Sequence, residues 1–499
     1  MAGKRPAEET VNPPSKRAKS LQKKSSTKKQ APQKKVPQKE ASQTKASPQK
    51  VLQQKASQKA PSQKLQGPAS KSSGSAGPVA AKPIINTAPI SRLDIFVFGE
   101  GGTGELGLGV KNAVNVKTPR LNVNLHAETV GVVDICAGGM HAVALTHDNQ
   151  VLTWGWNKEI KEEDGTASEE SRVDLNPAES TPAAVPSHKF PHGTKFVRVA
   201  AGDSSTFALT EDGSVYGWGT FLNNEGNDGF SLDKNQVIKT QSDPLLIPNL
   251  ENIVAISKRA EPARPADSVD RRRTLQIGRL GTEQLRSNAG LLPGVVPLPP
   301  RKKIVSIHAG SYHAFAIDSH GDTWAWGLNN FGQTGIAAGA GNGGSTIVTP
   351  QKVASLAGKL MKMIQGGNHH SIGITRKGEC LVWGRMDGAQ MGVDVNKFEE
   401  DDPRVICERG RLRVLLEPTV LSVADCAYAA AGSDHNILVT RDGKAYSRGF
   451  NLSYQCGQGS DDEEIVLPKL IDDSAVRDKM LCWAGAGGQY SMLAAPHEA

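Results

Sequence analysis

A glycine within an Ala-Gly or Gly-Gly pair is followed 17 residues later by a second glycine, at 138 and 155, 202 and 219, 310 and 327, 367 and 384, and 432 and 449. A fixed offset inside otherwise variable text marks one supersecondary unit copied several times, and such copying narrows the possible folds more than any single motif. The copies read AGGMHAVALTHDNQVLTWG from Ala137, AGDSSTFALTEDGSVYGWG from Ala201, AGSYHAFAIDSHGDTWAWG from Ala309, GGNHHSIGITRKGECLVWG from Gly366 and AGSDHNILVTRDGKAYSRG from Ala431. In each, small and apolar residues alternate up to an Asp-Asn, Asp-Gly, His-Gly or Lys-Gly reversal, after which a β-rich aromatic stretch returns. The unit is therefore an antiparallel hairpin.

The first glycines stand 64, 108, 57, 65 and finally 55 residues apart, the last step ending at Gly487. Since 108 is nearly twice its neighbours, one further unit of about 54 residues is expected between Gly202 and Gly310. The ends are complementary: IFVFGEG from Ile95 is a second half without a first, and WAGAGGQYSML from Trp483 a first half without a second. Five complete units, one hidden and one split across the termini predict an all-β, seven-bladed β-propeller over residues 91–496. Pairing of the N- and C-terminal strands closes it and leaves no exposed sheet edge.

Charge divides the chain near residue 90. Residues 1–82 hold 19 Lys and Arg against 3 acids, leaving 40 basic and 48 acidic residues of the chain's 59 and 51 for the remainder. With no apolar period to offset the entropy of ordering, residues 1–90 read as a disordered basic tail on an acidic body. A body of ~410 residues exceeds the usual single core, but radial repetition lets each small sheet pack only on its neighbours. The six cysteines form no CxxC pair and the start of the chain carries no apolar signal segment, which points to a reduced, intracellular protein. No apolar run of about 18 residues suggests a membrane span.

Within the tail, Lys4 and Arg5, ten intervening residues, and then Lys16, Arg17 and Lys19 match a two-part nuclear import signal, whose separated clusters can occupy two acidic grooves of an import receptor. Downstream lysines recur every four to six residues among Gln, Ser and Pro. Such lysines bind DNA phosphates by counterion release, without base sequence preference, and no aromatic offers a stacking platform. The tail is expected to anchor the protein to chromatin in the nucleus, through DNA phosphates or histones.

One segment breaks the pattern. The hidden unit should occupy residues 257–300, yet between Ser257 and Pro300 there is no Trp, Tyr or Phe, no AGxxH and no Asp-Gly turn. Its length is right and its residues are wrong. A shifted reading frame or misplaced intron boundary explains this; the rival reading is a genuine basic insert that leaves the ring open.

The unit AGxxH-xxxLT-xDGxV-xxWG, followed by text such as GELGLG from Gly104, resembles the repeat of the regulator of chromosome condensation family. The resemblance runs from about Leu93 to Leu493 apart from the aberrant segment. It implies a chromatin-bound guanine-nucleotide exchange factor for the small GTPase Ran, acting by binding, without covalent chemistry, cofactor or metal. Linkage then requires that the propeller hold the nucleotide-free GTPase most tightly and loosen nucleotide reciprocally. By the same resemblance Asp203 matches an interface aspartate on the rim, and Asn223, Asn224, Glu225 and Gly226 in FLNNEGND match a wedge loop pressed against the nucleotide-binding region. His369 matches an interface histidine, and Asp434 occupies the same rim position one blade later. His370 aligns with His141, His313 and His435 and reads as structural. Where the family tends to carry an aspartate, this chain has Gly102.

Three other features of the sequence admit a chemical role. The repeated tryptophans Trp154, Trp218, Trp326 and Trp383 hold a constant place in the unit, which favours blade packing over ligand stacking. GEGGTG at 99–104 satisfies GxGxxG formally, but no helix or distal acid follows to make a dinucleotide site. An enzyme in the central channel lacks any nucleophile–base pair or metal-ligand spacing outside the repeat framework. The remaining alternative is a nuclear propeller scaffold or chromatin adaptor without exchange activity.

Overall fold

The computed structural model describes residues 82–156, 177–220, 230–233, 236–257, 267–270, 275–277 and 294–498. The tail before Lys82, with the import signal, lies outside them, as does the expected wedge loop at 221–228.

Strands dominate, arranged as antiparallel sheets around a central channel. The first blade is built from Val132–Ala137, His141–Thr146, Val151–Gly155 and Ala183–Ala184. The second is built from Phe196–Ala201, Ser205–Thr210, Val215–Thr220 and Thr240–Leu246. The third runs from Ile304 to Lys352, and the fifth from Cys426 to Leu470, each with four strands. The fourth, from Met361 to Val420, gains a fifth strand at its outer edge, Val405–Glu408. The closing blade joins Trp483–Ala486 and Tyr490–Pro496 to Leu93–Gly99 and Val116–Leu121. Leu93–Gly99 pairs with Tyr490–Pro496 over seven residues, so the two ends of the body complete one sheet.

The count of seven blades is corrected to six. Between the second and third blades lies a sheet of four short strands, Ile253–Ser257, Asp267–Asp270, Leu275–Ile277 and Gly294–Val295, whose central hairpin is held by two residue pairs. Complete blades carry central strands of six or seven residues that are buried over at least six, such as His313–Asp318, His370–Thr375 and Tyr490–Pro496. The short sheet has no counterpart to these. Its inner strand gives Ile253 and Ile256 to the core of the second blade, and Val296 joins that of the third. The physical reason is compositional, since a stretch without aromatic residues or alternating apolar residues cannot bury a blade's inner hairpin.

The core lies between blades. Ile135, Ala142 and Trp154 of the first blade pack on Ile95, Val97 and Met492 of the closing blade, and Phe315 and Ile317 of the third pack on Ile364 and Trp383 of the fourth. The repeat glycines follow from this geometry. Gly155 sits at φ 102°, and Gly219, Gly327, Gly384 and Gly449 lie between 105° and 110°, a region that side-chain-bearing residues avoid. Gly138 meets the ring of His141 and the carbonyl of Gly202 in the next blade, leaving no room for a Cβ.

The repeated histidines are inter-blade fasteners. Nε2 of His141 lies 3.1 Å from the Thr206 hydroxyl, that of His313 2.6 Å from Ser371, that of His370 3.0 Å from Asn436 Oδ1, and that of His435 2.8 Å from Ser491. Each bridge reaches the next blade. The tryptophans fasten in the opposite direction, with Trp154 Nε1 donating to the Glu105 carbonyl and Trp383 Nε1 to that of Gln333. In the fifth blade Arg448 takes the tryptophan position and donates to the Gln390 carbonyl at 2.9 Å.

Candidate functional site at the channel mouth

In every complete blade, the residues between the first and second strands form a short turn at one end of the channel. Backbone bonds stitch these turns together: Gly139 N to Gly202 O at 3.1 Å, Ser311 N to Gly367 O at 3.1 Å, Asn368 N to Ser433 O at 3.2 Å, and Gly488 N to Gly139 O at 2.7 Å. The stitched turns, rich in small residues, line a cavity of about 690 Å³. Side chains at the third and fourth places of each AGxxH unit stand on this rim.

Asp203 and Asp434 both line the cavity. Asp203 packs its carboxylate against Gly139 of the first blade, and its main-chain carbonyl lies 3.0 Å from His141 Nδ1. Asp434 is half-buried, and its carboxyl is pushed above the usual range by burial, against the pull of Arg385 and with a push from Asp387. A carboxylate desolvated in this way gains most from an incoming cation.

His369 stands at the fourth place of the fourth blade, beside Asn368, which lines the cavity. Tyr312 of the third blade, another lining residue, stacks on its imidazole with centroids 5.4 Å apart and planes at 16°. Burial and the neighbouring Arg385 guanidinium push the imidazole down to about 4, so it is neutral at physiological pH. His370, its sequence neighbour, is fully buried and serves the fastening described above.

Two further carboxylates line the cavity that sequence reasoning missed, Glu100 and Glu105. Both lie in the glycine-rich GEGGTGELG run, where the acids at 100 and 105 were the available signal. Gly102 N donates to Glu100 Oε1 at 3.0 Å, so a carboxylate sits against the position where the sequence itself has no acid. Glu105 is buried, which pushes its carboxyl up, while the Thr103 hydroxyl donates to it and opposes the shift. Among the described lining residues there are four carboxylates and no Lys or Arg, which gives this mouth an acidic field. Asn223, Asn224, Glu225 and Gly226 lie outside the described residues.

Among the described residues no group of three His, Cys, Asp or Glu is placed to hold a metal ion, and no helix is long and apolar enough to cross a membrane. The rim carries charged and aromatic side chains, Asp203, Asp434, Glu100, Glu105 and Tyr312 among them. The fold and the rim together define a repeat propeller with an acidic mouth at one end of its channel.

Comparison with known proteins places it more closely. Residues 94–493 match the RCC1-like domain, and the chain belongs to that family. It is 35% identical over 438 residues to protein pim1 of Schizosaccharomyces pombe, spanning 84% of this chain and 77% of that protein. It is 32% identical over 435 residues to the guanine nucleotide exchange factor SRM1 of Saccharomyces cerevisiae, spanning 81% and 87%. The crystal structure of Saccharomyces cerevisiae Prp20p, described with its binding properties to Gsp1p and histones, superposes with a TM-score of 0.72 at 32% identity, covering 83% of this chain and 93% of that one. A second structure, of yeast RCC1 (Prp20) bound to Kap60, gives a TM-score of 0.72 at 31% identity, covering 86% and 97%.

Proposed function

We propose that this chain is a guanine-nucleotide exchange factor for the small GTPase Ran, working at chromatin in the nucleus to generate Ran-GTP for nucleocytoplasmic transport and mitotic control. The observation that carries the reading is the convergence of Asp203, Asp434 and the His369–Tyr312 pair on one rigid rim, in a fold 32% identical to a named exchange factor. The rim binds the GTPase most tightly in its nucleotide-free form, with Asp203, His369 and Asp434 as contacts and Asn223, Asn224, Glu225 and Gly226 as a wedge. No covalent step is involved. A tenfold faster release needs about 1.4 kcal/mol, so a factor of about 10⁵ needs roughly 7 kcal/mol, which one cluster of interface hot spots can supply.

The relatives' partners support the remaining assignments. Histone binding and the Kap60 complex are named for the yeast protein. By that likeness the basic tail serves as chromatin anchor, and Lys4, Arg5, Lys16, Arg17 and Lys19 as the import-receptor signal. The deciding experiment is release of a fluorescent guanine nucleotide from purified Ran. Acceleration by catalytic amounts of the folded chain is expected, and a folded chain that leaves the release rate unchanged defeats the reading in favour of a scaffold.

A further inference from the structure

His369 is gripped by the blade that precedes it. Besides the stacked Tyr312 ring, Phe331 lies 5.0 Å away with its plane inclined at 47°. Phe331 is itself faced by two guanidinium groups, Arg385 at 5.4 Å and Arg413 at 5.3 Å from its centroid. Those cations are anchored in turn: Arg385 on Asp387, and Arg413 on Glu408 and, at 3.6 Å, on Asp387. Arg413 and Glu408 belong to the outer hairpin, Val405–Glu408 with Arg411–Val420, that gives the fourth blade its fifth strand. The amide of Arg385 also donates to the His369 carbonyl at 2.9 Å, so main chain and ring are both fixed.

Nδ1 of His369 is buried with no hydrogen-bond partner among the described residues. An imidazole in that setting is held by ring packing alone, and the packing comes from Tyr312 and Phe331. We propose that Tyr312 and Phe331 are positioning residues for GTPase engagement, clamping the His369 ring in one orientation on the rim. This rests on the exchange reading above. The charged and titratable groups around the ring are Arg385 and Asp387 on its own blade, His370 beside it, Arg413 and Glu408 behind Phe331, and Asp434 on the following blade near Arg385. Protonation would leave a cation beside Arg385 with its buried N–H unpaired, so the clamp selects the neutral ring.

The test uses the full chain and the variants Y312F, Y312A, F331A, H369A and Y312A/H369A, each checked for a native thermal transition. In ¹³C-histidine-labelled protein, with the resonance assigned by H369A, the His369 signal of the parent is expected to stay unshifted between pH 5.5 and 8. In Y312A it should titrate inside that window. In Ran nucleotide release at pH 7.5, Y312A and F331A should each raise the half-saturating Ran concentration about fivefold, with the maximal rate within twofold, while Y312F, which keeps the stacked ring, should lose less than Y312A. Y312A/H369A should be no worse than H369A. Ordinary titration of His369 in a parent protein that exchanges nucleotide, an unmoved titration in Y312A, or additive losses in the double variant would overturn the clamp alone. A folded parent that releases no nucleotide would instead overturn the exchange reading together with the role in engagement.

Discussion

The phenol of Tyr490, in the last strand of the body, donates to the main-chain carbonyl of His141 at 2.6 Å, across 349 residues of sequence. It also reaches the Gly138 carbonyl at 3.2 Å. Tyr490 occupies the place that histidine holds in other units and does the same work, fastening its blade to the next. Y490F is expected to destabilise the propeller by about 1–2 kcal/mol, the usual cost of a lost buried hydrogen bond. Urea denaturation followed by tryptophan fluorescence checks this; an unchanged midpoint would show that main-chain pairing alone seals the ring.

Arg448 is the cation in a tryptophan's place. It is fully buried, Nη1 donates to Gln390, and Nε and Nη2 have no partner among the described residues. Burial pushes its guanidinium down to about 10, so it stays charged at neutral pH. Charges held this way are often replaced by apolar side chains without loss, whereas removing the volume leaves a cavity. R448M should match or exceed the parent in stability, and R448A should lose about 2–4 kcal/mol. Calorimetry of both variants settles it; R448M as damaged as R448A would mean the charge itself is needed.

Asp318 ends the second strand of the third blade, and its side chain is wholly buried. Burial alone would raise its carboxyl, but Lys302 at 3.0 Å, Trp324 Nε1 and the amides of Asp322 and His320 outweigh it and hold it below the usual 3.8. A depressed carboxylate contributes stability that is complete above its ordinary value and is lost as pH falls through the folded one. D318N should therefore cost about 1–3 kcal/mol at pH 7, with the gap to the parent closing in strong acid. Unfolding free energies followed from pH 7 into the acid range well below 3.8 test the slope.

Asp203 should act through charge. D203N is expected to slow Ran nucleotide release about tenfold at low ionic strength and less at high salt, because part of its effect is attraction of a basic surface. The salt series is the check, and equal losses at every salt would point to a packing role.

Trp326 marks the defect beside it. Its Nε1 is buried without a hydrogen-bond partner among the described residues, whereas Trp154 and Trp383 donate to carbonyls in the preceding blade's loop. The preceding sheet here is the short one. Transcript sequencing is expected to show a message differing from residues 257–300, with an aromatic-containing hairpin in its place; an in-frame message encoding these residues would refute it and establish the insert as genuine.

Most of the fold was legible because it is repetitive. The 17-residue offset reports a glycine at φ near 105° in each blade, and such a constraint shows in sequence wherever it recurs. The structural role of His370 was equally readable from its alignment with His141, His313 and His435. Glu100 and Glu105 escaped notice because a carboxylate in a glycine-rich loop looks the same whether it faces solvent or a channel. The six-blade count escaped for a related cause: spacing revealed room for a unit, but not whether its residues could bury one.

Sequence alone determined the hairpin unit, its repetition and the joining of the two ends, since these follow from local turn chemistry and alternation. Tertiary structure decided which side chains meet across blades: that Tyr312 and Phe331 enclose His369, that Arg448 replaces a tryptophan's bond, and that four carboxylates share one mouth. The contacting pairs lie 38 to 58 residues apart and Glu100 lies 334 from Asp434, and only the radial packing of one sheet on the next brings them together.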